Sequence, residues 1–339
     1  MSTFVWKRAH TLAAAVTATA LVASGIGIAV AVKDPVVSPA PAASTVAPVT
    51  PPPPRPPGRK PAKAKPTDPL TGGRIDTGPV IAVKVENTAA ARPQVGLNKA
   101  DIVFVEEVEG AQTRLVAVYH SKLPDRVGPV RSARTTDVRL LPLFGKPGLV
   151  YSGANAKVQR RIDAASIVPI YRETRDHRRI APHNVFVDLA KIAKTERLRR
   201  AVSIGWTFAA KNAGGGAGVD TITTRVGNDS FRFGYGKGRY TVRWRGERYA
   251  DGDSGAIARA DNVVIMNVRN RPDGNRDVLG SASVLSDTVG HGKVAIHRNG
   301  RKISGTWRRN KVSGPLRFRN GAGKIIELKP GQTWVALHG

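Results

Sequence analysis

The heptad GPVRSAR, Gly128 to Arg134, sets a Gly-Pro turn before a serine flanked by two arginines, with no carboxylate of its own. A turn of that kind leading into a helix presents backbone N–H groups and the positive end of the helix dipole to an anion. Arg131 and Arg134 are three apart, so they share a helix face if the helix has begun, and each guanidinium can grip an oxyanion with two parallel donors. Ser132 adds a hydroxyl or an N-cap. Arg114, just beyond a predicted hairpin turn, can converge on the same anion seat. Glu106, Glu107 and Glu109 of that hairpin are the competitors, because any of them could neutralise the arginines instead.

A second polar stretch, RETRDHRRIAPHN, places Arg175, Arg179, His183 and Asn184 in a loop, where functional side chains concentrate. The imidazole of His183 can serve as an acid, a base or a hydrogen-bonding group near neutral pH, or simply tie down the loop with Asn184. His177 and His183 are six apart, which matches no helical ligand pair, and no third ligand is evident. No metal or cofactor is therefore expected. Two functions fit these residues: a binding protein that holds an anionic group, or an enzyme in which the arginines stabilise charge and His183 moves a proton. Weaker signals are read as structural. Ser152 in VYSGAN lacks the first glycine of a nucleophile elbow, GYGKGRY reads as a hairpin turn, and Trp244, Trp307 and Trp334 read as core.

These residues need elements to hold them. PVIAVKVEN alternates as a strand, and DIVFVEEVEGAQTRLVAVYHS reads as two strands around Gly110 and Ala111. RSARTTDVRLLPLF has helical spacing with Ser132 or Thr135 as N-cap. GLVYSG is a short strand, ANAKVQRRIDAA a helix, and DLAKIAKTERLRRAV a helix begun by Asp188. Interleaved strands and helices predict an α/β domain over residues 78–210. After the glycine-rich KNAGGGAGVD only short strand-like runs follow, which predicts a β-rich domain, barrel or sandwich-like, over 218–339. Asn299-Gly300 inside it marks a type I′ hairpin. The expected fold class is thus α+β overall.

The 339 residues carry 54 Lys and Arg against 25 Asp and Glu, a formal charge of +29, and no cysteine. Thiol catalysis, disulfides and lipidation through a cysteine thioether are excluded. A charge of this size points to polyanionic partners. At the N-terminus, Lys7, Arg8 and His10 precede an uncharged apolar run from Thr11 to Val32, long enough to cross a membrane as a helix. Residues 1–32 therefore read as a transmembrane anchor, with Ala29-Val30-Ala31 keeping a cleaved signal peptide open as the alternative. Basic residues on the short side place everything after Lys33 outside the cytoplasm. Residues 33–77 read as a disordered linker, since 13 of the 24 prolines lie between Lys33 and Leu70. Export makes nucleic acid an outsider among the partners. Anionic cell-wall polymer, anionic lipid or an envelope protein remain.

ARPQVGLNKADIVFVEEVEGAQTRLVAVYHS, GPVRSAR, RDHRRIAPHNVF, and later GTW and KPGQTWV, resemble the YerB-like lipoproteins, a bacterial family catalogued as a domain of unknown function. The resemblance runs from Pro79 to Val335. It implies an extracytoplasmic, envelope-associated bacterial protein and no particular activity. This chain departs from the family's lipoprotein members in having no cysteine to lipidate, so the apolar run at 11–32 would have to hold it to the membrane.

Overall fold

The computed structural model describes residues 67–172, 174–211, 216–276 and 280–339. The apolar run at 11–32 and most of the proline-rich stretch lie outside them. Among the described residues no helix is long and apolar enough to cross a membrane.

In chain order the strands are β1 (Ile81–Glu86), β2 (Ile102–Glu107), β3 (Thr113–Tyr119), β4 (Gly148–Val150), β5 (Val168–Ile170), β6 (Thr174–Arg175), β7 (Val185–Phe186) and β8 (Ala217–Gly218). They continue with β9 (Thr221–Val226), β10 (Asp229–Gly236), β11 (Arg239–Trp244), β12 (Glu247–Arg248), β13 (Arg259–Ala260) and β14 (Asn262–Asn267). The last six are β15 (Asn270–Arg276), β16 (Ala282–Ser286), β17 (Gly290–Arg298), β18 (Arg301–Arg309), β19 (Arg317–Asn320) and β20 (Thr333–His338). Three short helices interrupt them: α1 (Thr135–Leu140), α2 (Ala156–Asp163) and α3 (Leu189–Thr195).

The alternating runs behave as their patterns require. β2 and β3 form the expected hairpin, with Glu107 opposite Thr113. β17 and β18 are joined by Asn299 and Gly300 at φ 49° and 68°, the two positive values of a type I′ turn. The expected α/β architecture is not what forms. The described residues are mostly β, and their α-helices are only six to eight residues long. Pro142 falls where α1 ends, and the chain continues as a 3-10 turn over Leu141–Phe144. α3 starts on Asp188, whose carboxylate accepts from the Lys191 N–H at 2.8 Å, but it stops at Thr195. The chain then returns as extended backbone to pair Arg200 with Pro79.

The β-rich half is also not a separate barrel or sandwich. One long mixed sheet runs in the order β19, β18, β17, β14, β20, β2, β3, β1, β4, β5. β20 lies parallel to both β2 and β14, so the end of the chain joins the two halves in a single ladder. Its two faces carry separate cores. On one, Phe104, Val116, Trp307 and Phe318 pack under Leu140, Phe144, Val158 and Ile162 from α1, its following turn and α2. On the other, Leu115, Val105 and Trp334 meet Phe231, Phe233, Val242 and Trp244 from a five-stranded sheet ordered β12, β11, β10, β9, with β13 beside β11.

Near the first described residues, Asp68 is fully buried and accepts from the backbone N–H of Leu70 and Thr71 at 3.0 and 2.9 Å. Its other oxygen meets His120 Nε2 at 3.0 Å. Burial works against the Asp68 charge, but His120 and the neighbouring donors outweigh it and hold the carboxyl well below the usual range. Burial likewise opposes charge on His120, and the Asp68 carboxylate outweighs it and raises the imidazole. A lowered carboxyl contributes stability that is present above its unfolded value and lost as pH falls. A raised imidazole contributes stability that is present below its unfolded value and lost as pH rises through the folded one. Both contributions are in full only between about pH 4 and 6.5. Asp68→Asn is expected to cost about 1–3 kcal/mol in urea unfolding within that window and to flatten both limbs. Unchanged limbs would show that the pair does not govern them.

Candidate functional site

The strand register builds the centre of the site. Glu106 on β2 faces Arg114 on β3, and Arg114 faces Glu86 on β1, so three charges stand in a row across adjacent strands. Lys84 lies two residues before Glu86 on the same face. It is fully buried, with its ammonium bonded to the Glu106 carboxylate and 2.8 Å from Asp137 Oδ1. Asp137 also accepts from the Arg134 backbone N–H at 2.6 Å through its other oxygen, which caps α1 and ties that helix to β1. Burial first, and the Asp137 charge second, push Glu106 up to about 7 against the pull of Lys84 and Arg114.

The heptad lies along the edge of this row. It is extended, not helical: Val130 bridges Val85, and α1 does not begin until Thr135. Its backbone donors are largely engaged, with Val130 N–H on Val185 O at 2.7 Å, Arg131 N–H on Lys84 O at 2.8 Å and Ala133 N–H on Gly153 O at 2.9 Å. The expected N–H cradle at a helix start is therefore replaced by a strand-like edge. N-capping falls to neither Ser132 nor Thr135, since Arg134 occupies the N-cap position.

The arginines have separate fates. Arg134 Nε donates to Glu109 at 2.6 Å, and Arg114 Nη1 donates to the Ser132 carbonyl at 3.1 Å. Burial first, then the Arg134 charge, lowers Arg114 to about 10. Arg131 is 26 % exposed, and its Nε stands 3.4 Å from Glu86 Oε1. Among the described residues its terminal nitrogens make no hydrogen bond. Glu86 already receives His183 Nδ1 at 2.8 Å and the Thr88 hydroxyl at 3.1 Å. Arg114, Arg131, Ser132, Arg134 and His183 thus converge, with four carboxylates among them.

The rest of the second loop does not join. Arg179 donates to the carbonyls of Ala91 and Pro93 at 3.2 and 2.5 Å and stacks on Phe186, which Arg126 also covers. Arg175 sits on β6 opposite Val185, and Asn184 is buried, its carbonyl accepting from the Asp176 N–H at 2.8 Å. The glutamates behave as competitors in part: Glu109 takes Arg134, Glu106 takes Lys84, and Glu107 accepts from Asn270 at 2.7 Å. Lys84, Glu86 and Asp137 were not singled out from the sequence. The signal for Lys84 and Glu86 was there, since IAVKVE sets two charges on one face of a strand whose other residues are apolar.

A mostly β protein with a charged row at one end of its central sheet is the class these features define. The chain belongs to a protein family of unknown function (DUF3048), whose N-terminal domain matches residues 69–202 and whose C-terminal domain matches residues 221–335. It is 28% identical over 302 residues to "Putative lipoprotein YerB" of Bacillus subtilis (strain 168), covering 82% of this chain and 86% of that protein. The fold is shared with the crystal structure of Bacillus subtilis YerB, at a TM-score of 0.68 and 24% identity over 80% of this chain and 96% of that one.

Proposed function

We propose that the chain is a membrane-tethered, extracytoplasmic protein of the bacterial envelope that holds an anionic group at Arg131, with Ser132 and His183 beside it. The group would belong to a wall polymer, a lipid-linked precursor or a partner protein. The relative described as a lipoprotein and the apolar run at 11–32 support the location. The observation that carries the binding reading is Arg131: a half-buried guanidinium, loosely held by a carboxylate with two other partners, whose fork has no hydrogen bond among the described residues. A carboxylate or phosphate would complete it with two parallel, charge-assisted bonds. The test is titration of the full chain with inorganic phosphate and with acetate, read on the arginine Nε–H resonances and, so that Arg131→Ala can be compared, by calorimetry. The expected result is a saturable shift of Arg131 by one of the two anions. Arg131→Ala weakens the binding at least tenfold, and Glu86→Gln, which removes the competing carboxylate, tightens it several-fold. A response equal in Arg131→Ala would overturn the reading.

The Glu86–His183 pair favours a second reading, because a carboxylate that orients an imidazole is the geometry of a general acid or base. An envelope hydrolase or transferase acting on a glycan or pyrophosphate-linked substrate would use it. Turnover of such a substrate that disappears in folded His183→Ala would put this reading first.

A further inference from the structure

We propose that the outer face of the five-stranded sheet is a second and separate anion-binding surface, shaped for a linear polyol-phosphate polymer. Register places Arg232 of β10 directly opposite Arg243 of β11, and Arg243 directly opposite Arg248 of β12. Adjacent strands lie about 4.8 Å apart, so three guanidinium stems stand in a row about 10 Å long. Arg259 of β13, opposite Thr241, adds a fourth cation to the same face. The inner face of this sheet is buried aromatic and aliphatic core, so alternation sends these arginines outward.

Like charges directly opposite one another destabilise a sheet. Among the described residues, Arg232, Arg248 and Arg259 have no side-chain hydrogen bond or ion pair, and Arg243 donates only to the Gly246 carbonyl at 2.9 Å. The row lines a cleft of about 470 Å³ with no carboxylate among its described lining residues. Its floor is open at Gly234, Gly236 and Gly246, where an added Cβ would meet nothing within 4 Å. The guanidinium fork matches phosphate oxygens, and a row of forks matches successive phosphates on one chain. Among the described residues Tyr235 is the one aromatic side chain lining the cleft, and it already packs on Tyr240. Sequence-tolerant binding of single-stranded nucleic acid relies on several stacking rings, so the cleft fits a polymer whose backbone has none.

The surface shares no residue with the Arg131 site, so the two fail independently. The test measures binding of the full chain to poly(glycerol phosphate) over a range of salt. The triple variant Arg232→Gln, Arg243→Gln, Arg248→Gln is expected to bind at least tenfold more weakly at 0.1 M salt, with a salt slope shallower by about two to three. Binding lost in Arg131→Ala and kept in the ladder variant would put the polymer at the Arg131 site and overturn the proposal. A charge-matched control, Arg308→Gln, Arg317→Gln, Arg319→Gln, removes three arginines from another basic groove. If the control loses as much as the ladder variant, the effect is overall charge and the proposal is wrong. Tighter, ladder-dependent binding of oligothymidylate or of anionic vesicles would overturn the assignment of the polymer.

Discussion

Lys84→Met is expected to lower stability by about 3–5 kcal/mol at pH 8, measured by urea unfolding, because it leaves Glu106 and Asp137 buried together without their cation. Methionine keeps most of the volume, so the loss is electrostatic. The double variant Lys84→Met with Glu106→Gln removes the excess charge and should recover a large part of it. Acidity provides a second check. Glu106 already has a folded-state value of about 7, above its unfolded one near 4.3. A raised carboxyl contributes stability that is complete below the unfolded value and lost as pH rises through the folded one. In the wild type the Glu106 contribution therefore declines between about pH 4.3 and 7. Without Lys84 the two carboxylates repel more strongly, so the variant should be least stable at high pH and should regain at least about 1 kcal/mol at pH 5. Equal losses at pH 5 and pH 8 would show that packing, not charge, is what Lys84 supplies. The functional side of the same network is positional. Asp137 joins Lys84 to the start of α1, so loss of Lys84 should also loosen Arg134 and the heptad before it.

How far the sequence discloses this arrangement depends on how local each signal is. The β2–β3 hairpin, the Asn299-Gly300 turn and the Asp188 cap are encoded within a few residues and are found where their patterns predict. The parallel pairing of β20 with β2 joins Thr333 to Ile102, and nothing near either residue specifies it. The glycine-rich segment before β9 marks a real change of texture, yet both halves complete one sheet. In the heptad, the spacing of Arg131 and Arg134 suits a helix, but the pairing of Val130 with Val85 decides for an extended edge. That edge uses the backbone donors and sends Arg134 to Glu109, leaving Arg131 as the arginine with an open fork. The site was legible as chemistry in Arg114, Arg131 and Arg134, though not in the arrival of His183 beside them. Its near balance of charge was not, because Glu86 and Asp137 come from elements that only the register brings together.

Arg309→Met is the second large effect, expected at about 2–4 kcal/mol in the same unfolding measurement. Arg309 stands in the basic stretch Arg308-Arg309-Asn310-Lys311, but the strand turns it inward and it is 1% exposed. No carboxylate accepts from it among the described residues. It donates instead to carbonyls: Leu140 at 3.1 Å, Gly314 at 3.3 Å, Thr288 at 3.5 Å, and Val312. Burial first, then the Arg139 charge, lowers it to about 10, so the guanidinium stays charged at neutral pH. Methionine would leave the carbonyls without donors, and an unmet buried acceptor costs more than its bond contributed. Because Leu140 closes α1, the arginine fixes the end of the helix whose start carries Asp137 and Arg134. Arg309→Lys should recover less than half the loss, since one ammonium cannot reach four carbonyls spread around a planar fork. If lysine restores full stability, charge alone suffices and the fork is dispensable. If both variants lose stability but only methionine also shifts the Arg131 and Arg134 Nε–H resonances, Arg309 is the tie that couples the β18 end of the sheet to the candidate site.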